Sequence, residues 1–337
     1  MPVTLLKCEA EMEPSRGRDG IGLAPPGLPD TIRAAFAPVG GAAEAEAYTR
    51  ALTSSHYENF SVVSVLLPKR LRQDFCNVYA FCRIADDLGD EVADKGRAAG
   101  YLADFQAQTE QCYAGMAGAA AAPTTAVFVA LTQTIRRHDI PAQPFLDLIS
   151  AFRQDQTVLR YETFEQVVDY CRRSADPVGR LVLYMCGYRD EPRQLLSDKI
   201  CTALQLANFW QDVRRDILER DRIYIPAESM RRFGVGEEQL REGRVSKEYC
   251  ELIRFEVDRT QGLFDEGAGL LPLLAPAYRR QIALFGKGGQ AILQAIRDQG
   301  YDTLTRRPAL SKWRKARLVA GTLLSSLGGI FSGGGGQ

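Results

Sequence analysis

Two runs of acidic side chains carry the chemistry open to this sequence. In the first, QDFCNVYAFCRIADDLGDE at 73–91, Asp86, Asp87 and Asp90 fall with Arg83 and Tyr79 on one side of a helix. Carboxylates at i and i+4 repel by a few tenths of a kcal/mol, and by more where the face is buried, so Asp86 and Asp90 invite a cation. In the second, QLANFWQDVRRDILERDRIYIP at 205–226, Gln205, Asn208, Asp212 and Asp216 share a face. Asn208 offers a neutral oxygen that can ligate without adding charge. Oxygen ligands of this kind suit magnesium, which commonly joins protein carboxylates to substrate phosphate oxygens. The chemistry is then departure of a diphosphate from carbon. Several magnesium ions, with Arg83, Arg222 and Lys69, would stabilise the leaving group, and aromatic faces such as Phe60, Phe81 and Tyr170 the carbocation. This reading expects the two clusters to face one another across a buried cavity. Either run alone reads more readily as a solvated helix face.

Positioning these side chains requires helices with an apolar opposite side. Phe75, Val78, Phe81, Cys82 and Ala85 supply one for the first run, and Leu206, Phe209, Trp210, Val213 and Ile217 for the second. From Glu44 onward, blocks of helical period are separated by breaks at Pro68, Pro123, Pro141, Pro192 and Pro276, which predicts roughly ten helices and no strand. The expected fold class is all-α, with one helical domain over 44–313. Residues 1–43, with PSRGRDGIGLAPPGLPD, read as a mobile extension that cannot bury enough apolar surface to offset its ordering entropy. The tail over 314–337 ends in four glycines. Its apolar stretch Leu318–Phe331 falls short of the roughly 20 residues that span a bilayer. Trp313 with Arg314, Lys315 and Arg317 reads either as an interfacial anchor or as part of a final packed helix.

Composition closes off other chemistries. Of 337 residues, 45% are of hydrophobic type, enough for a large core, and the 42 basic residues equal the 42 acidic ones, which argues against nucleic acid as a partner. His56 and His138 are the only histidines, so a zinc site built from several histidines is excluded and a Ser-His-Asp triad hangs on one of two residues. The eight cysteines form no C-x-x-C pair, and several sit in apolar helical patterns, as expected in a reducing cytoplasm. The N-terminus MPVTLLKCEAEMEP lacks the basic and apolar regions of a signal peptide.

Both runs closely resemble the aspartate-rich motifs of the squalene/phytoene synthase family. The resemblance extends from about Tyr48 to Trp313 and includes HYENF at 56–60 and YCRRSADPVGRLVLYMCG at 170–187. It implies an isoprenoid synthase-type helical bundle with a central apolar channel. Carried over by position, it implies metal ligands at Asp86, Asp90, Asn208 and Asp212, with Asp216 close by. Substrate contacts are implied at His56, Tyr57, Glu58, Asn59, Tyr79, Arg83, Gln205, Gln211, Arg222 and Tyr224, and Tyr170 is either a proton relay or a core residue. HYENFSVVSVLLPKRLR, NFWQDV, SADPVGR and AILQAIRDQGYDTLTRRP are most similar to the bacterial hydroxysqualene-forming branch. That branch implies conversion of presqualene diphosphate and water to hydroxysqualene in squalene and hopanoid biosynthesis. It also implies several Mg2+ ions, no NADPH, peripheral contact with the inner face of the cytoplasmic membrane, and association with other squalene-pathway enzymes. Two positions depart from the family: Asp176 where a neutral residue is expected, and Gln211 where condensing members often carry arginine. The segment KGGQAIL at 287–293 also places glycine where those members have a channel tyrosine. These departures favour a one-diphosphate lyase over a head-to-head transferase making squalene or phytoene from farnesyl diphosphate. A non-catalytic interaction protein would have eroded the carboxylates, and all are present.

Overall fold

The computed structural model describes residues 30–56, 68–311, 313 and 317, with backbone alone at 30, 31 and 56. Tyr57, Glu58, Asn59 and Phe60 lie outside the described residues, as do 1–29 and 318–337. Among the described residues, fourteen α-helices follow in chain order: α1 (Asp30–Ala35), α2 (Ala42–His56), α3 (Arg72–Asp90), α4 (Lys95–Met116), α5 (Ala126–His138), α6 (Gln143–Gln154), α7 (Phe164–Ser174), α8 (Asp176–Met185), α9 (Glu191–Gln211), α10 (Val213–Arg220), α11 (Ala227–Arg232), α12 (Glu237–Glu242), α13 (Lys247–Gly267) and α14 (Pro276–Asp298). Short 3-10 turns occupy Lys69–Leu71 and Ala268–Leu273. The described residues form no strand, only isolated bridges between Pro38 and Thr125 and between Arg160 and Ile223. None of the described helices is long and apolar enough to cross a membrane.

The chain divides into two compact units, one within Met1–Val158 and Pro177–Arg189, the other within Leu159–Asp176 and Asp190–Gln337. In the first, α3 packs against α2, α4, α5 and α6. Its apolar side enters a cluster of phenylalanines in which Phe81, Phe105, Phe128 and Phe145 are at most 1% exposed. Phe81 lies 5.0 Å from Phe105 and 4.9 Å from Phe145, ring centre to ring centre. Truncating one such ring to alanine costs about 3–5 kcal/mol. Polar pins fix the register between α3 and α5. Asn77 Nδ2 donates to the Ala130 carbonyl (3.1 Å) and Thr134 Oγ1 (3.0 Å), and Thr134 Oγ1 donates to Asp74 (2.9 Å). His138 Nε2 also meets Asp74 at 2.9 Å, so this histidine serves structure. The expected extension over 1–43 is corrected at its end: residues 30–35 are helical, with Ile32 at 0% and Ala35 at 2% exposure in the core. Two apolar residues at i and i+3 suffice to dock one turn, a signal hidden by the surrounding glycine and proline.

In the second unit α9 is buried at every residue from Ile200 to Gln211. Asp190 caps its start, accepting from the Arg193 amide, and Pro192 occupies the first turn. Helices α13 and α14 come close enough that a Cβ at Gly289 would lie 2.5 Å from Phe264 and 2.6 Å from Leu204. One at Gly267 would lie 2.5 Å from Ile200. Trp210, fully buried, donates from Nε1 to Thr260 Oγ1 at 2.8 Å. These contacts hold α9 at fixed rotation and depth.

Candidate active site

The first acidic cluster sits on the last two turns of α3. Asp86 and Asp87 are 1% and 2% exposed, and Asp90 is half-buried. Arg83 grips Asp87 with two bonds, Nε to Oδ2 at 2.8 Å and Nη2 to Oδ1 at 2.7 Å. Burial pulls the Arg83 guanidinium down, and the charge and hydrogen bond of Asp87, with Asp86 behind them, more than reverse this. Tyr79 is buried one turn back, and burial raises its hydroxyl, with Arg83 opposing and Asp87 and Asp86 adding. Tyr48 of α2 is raised by burial and then by Asp87, which places it within electrostatic reach of the cluster. Gln156 donates to the Gly89 carbonyl at 2.9 Å and buttresses the end of α3. Neither Tyr48 nor Gln156 carries a signal in the acidic motif. Phe81 is a correction: its face is taken up by neighbouring phenylalanines, so it is a core residue. Lys69 is exposed on its 3-10 turn.

The second cluster departs from the expected uninterrupted helix. Asp212 has φ −105° and ψ 14°, outside the helical region, and separates α9 from α10. The ladder bridges the break, since Asp212 N donates to Asn208 O and Asp216 N to Asp212 O, both at 2.9 Å. Gln205, Asn208, Gln211 and Asp212 are all at most 5% exposed, whereas the Asp216 side chain keeps 15%. Asn208 Nδ2 lies 3.3 Å from Asp212 Oδ2. Burial first, and the charge of Asp212 second, lift Asp216 to about 7, while Arg220 and Arg222 pull it down.

Side chains from the segment after α14 close over this cluster. Arg307 clasps Asp212 with its Nε on Oδ1 and its Nη2 on Oδ2, the latter at 3.1 Å. Gln211 donates from Nε2 to the Pro308 carbonyl at 2.5 Å, so its amide nitrogen is directed to the protein's own backbone. Asp302 holds the segment in shape by accepting from the Leu304 and Thr305 amides at 3.1 and 2.9 Å. Arg222 and Tyr224 are buried beyond α10, and the Arg222 amide donates to Asp216 O at 3.0 Å. Tyr224 stacks on Phe209 at 3.6 Å and 5°, with Tyr161 and Tyr170 each 5.8 Å from Tyr224. Tyr170 is fully buried in this aromatic group. The signal missed in sequence is Arg307, one basic residue among several in TRRPALSKWRK.

The residues present fit a hard cation. Among the described residues no three His, Cys, Asp or Glu side chains converge as a finished cage. The donors are oxygens only, and Asn208 Oδ1 is buried without a hydrogen-bond partner among the described residues. Burial raises Asp216 most, and the Asp212 charge that adds to it is what a divalent ion would relieve. The carried-over ligands thus fall into two sets, Asp86 and Asp90 in one unit and Asn208, Asp212 and Asp216 in the other. The backbone of His56 closes α2, and the rest of HYENF lies outside the described residues.

Comparison with known proteins gives this arrangement a context. A family model described as squalene/phytoene synthase matches residues 53–314. A phytoene synthase of Thermus thermophilus is 34% identical over 81% of this chain and 90% of its own length. A hydroxysqualene synthase of Zymomonas mobilis is 31% identical over 82% and 89%. Among solved structures, the squalene synthase HpnC of Alicyclobacillus acidocaldarius superposes with a TM-score of 0.70 at 46% identity, covering 82% of this chain and 97% of that one. A dehydrosqualene synthase gives 0.74 at 26% identity, over 85% and 98%. The expected all-α isoprenoid synthase-type fold is the fold of these neighbours.

Proposed function

This chain belongs to the squalene/phytoene synthase family, and from that premise we propose that it converts presqualene diphosphate and water to hydroxysqualene and diphosphate. The observation that carries the choice is Gln211. A neutral side chain, buried and directed to the Pro308 carbonyl, stands beside Asp212, and Arg307, the cation that reaches Asp212, is itself paired with it. Position 211 therefore offers no cation to a second diphosphate.

In this reading Asp86, Asp90, Asn208, Asp212 and Asp216 hold magnesium, which when bound neutralises the departing diphosphate. Arg83 fixes Asp87 and, with Tyr79, presents the acidic face of α3 to substrate. Arg222 lies beside Asp216 for the diphosphate oxygens. Tyr170 offers a ring to the cyclopropylcarbinyl cation and its rearranged successors, while Tyr224 and Phe209, stacked on one another, help keep bulk water away. Water rather than hydride ends the reaction, so NADPH has no step to serve.

The test offers purified protein and magnesium either presqualene diphosphate or farnesyl diphosphate, with and without NADPH, and identifies the lipid. Hydroxysqualene from presqualene diphosphate, unchanged by NADPH, is expected. The phytoene synthase likeness favours a second reading, head-to-head transfer, and condensation of farnesyl diphosphate, or of its C20 homologue to phytoene, would establish it instead. Peripheral membrane contact is proposed on Trp313, whose side chain is 86% exposed. Removing residues 312–337 should lower partition onto anionic vesicles, and unchanged partition removes that proposal.

A further inference from the structure

A second polar group lies in the interior of the same unit as Asp212. Asp176, 3% exposed at the start of α8, accepts at Oδ1 from Thr202 Oγ1 of α9 at 2.8 Å. Thr202 is 5% exposed. Gln205, one turn further along the same side of α9, is 0% exposed, and neither of its amide atoms has a hydrogen-bond partner among the described residues. Phe209 follows one turn later and joins the aromatic group of Tyr170 and Tyr224. Leaving an amide buried and unpaired costs about 1–3 kcal/mol, and a buried carboxylate costs more. Asp176, Thr202 and Gln205 thus make a buried polar group on the side of α9 that continues to Phe209. A carboxylate, an amide donor and an amide acceptor are partners of the kind an ordered water takes.

We infer that Asp176, Thr202 and Gln205 hold the water that captures the carbocation, with Asp176 as its base. The inference rests on the hydroxysqualene reading above. A lone pair of the water oxygen forms the new C–O bond at the cationic carbon. One water O–H bond breaks, its electron pair stays on oxygen, and its proton goes to the Asp176 carboxylate. The diphosphate has already left with the pair from its own C–O bond, so charge and electrons balance with no oxidant or reductant. Thr202 orients the carboxylate through its 2.8 Å bond, and Gln205 aims the water. The aromatic faces stabilise a cation without supplying a nucleophile, and the acidic ligands on α3 and α9 are taken up with the leaving group.

The simpler role for Asp176 is structural, to accept from Thr202 at the start of α8, and asparagine can accept that bond while unable to take up a proton. Presqualene diphosphate and magnesium are therefore given to parent and Asp176→Asn protein in 18O-labelled water. Alcohol formed is measured per diphosphate released. The parent should give a ratio near one with labelled alcohol. Asp176→Asn should lower the ratio at least about tenfold, with hydrocarbons formed by proton loss making up the balance. Asp176→Glu should recover part of the alcohol. Gln205→Met leaves the bond between Thr202 and Asp176 untouched and should lower the ratio in the same direction, which keeps the inference testable if Asp176→Asn folds poorly. An Asp176→Asn ratio within about twofold of the parent would overturn this inference alone, and a parent that forms no alcohol would overturn it together with the reaction it rests on.

Discussion

The two acidic clusters solve one electrostatic problem in opposite ways. On α3 the counter-charge is local: Arg83 sits one turn from Asp87 on an unbroken helix and grips it with both nitrogens. On α9 and α10 the helix is broken at Asp212, and the counter-charge arrives from Arg307, far along the sequence, on a segment folded by Asp302. A charge neutralised within its own helix is set as soon as that helix forms. One neutralised from a distance is set only when the unit is complete, and can be released without unfolding the helix.

The largest expected effect tests what the clusters share. Asp86→Asn and Asp212→Asn should each lower diphosphate release at least about 100-fold while melting temperature moves by a few degrees. Near-normal turnover in either would end the idea that both bind the leaving group. The next tests how they differ. Arg83 and Asp87 are 12% and 3% exposed, so Arg83→Ala strands a buried carboxylate and should cost about 3 kcal/mol in urea unfolding without metal. Arg307 is 42% exposed, solvent screens its pair, and Arg307→Ala should cost about 1 kcal/mol. The reverse order would break the contrast between local and distant neutralisation.

The smallest effect concerns the frame around the second cluster. Asp221, which ends α10 with φ 54°, is tied by Arg160 and Arg241, and the same two arginines hold Glu237. The Arg160 hydrogen bond first, with burial opposing and Arg241 adding, lowers Glu237 from 4.5 to about 2. A depressed carboxyl contributes stability that is complete above 4.5 and lost as pH falls toward 2. The melting temperature of the parent should therefore fall more steeply from pH 5 to pH 3 than that of Glu237→Gln, by a small margin because Glu237 is 42% exposed. Parallel curves would show that the quartet is decorative.

The same contrast explains which features are legible in the residue pattern alone. Asp86, Asp87 and Asp90 are legible because helix period by itself puts them on one face, and Asn208 and Gln205 for the same reason. The break at Asp212 is not, since no glycine or proline marks it and the Arg307 that clasps it comes from far along the chain. Phe81 misleads because an aromatic ring beside an acidic motif looks the same in sequence whether it lines a channel or fills a core. The docking of Ile32 and Ala35 is invisible in a stretch whose composition signals disorder. Asp176 stands out in sequence as a departure, and gains its meaning only from Thr202 and Gln205 across the helix contact.

If the second cluster holds magnesium as proposed above, the clasp of Arg307 on Asp212 sets the terms of its loading. A cation is already in place, so loading is an exchange: the apparent affinity is that of the bare carboxylate reduced by the fraction of molecules in which the guanidinium has lifted away. The protein thus carries its own stand-in for the ion and stays charge-balanced when stripped of it. A substrate that bound the ion in place of the arginine would draw that exchange to completion.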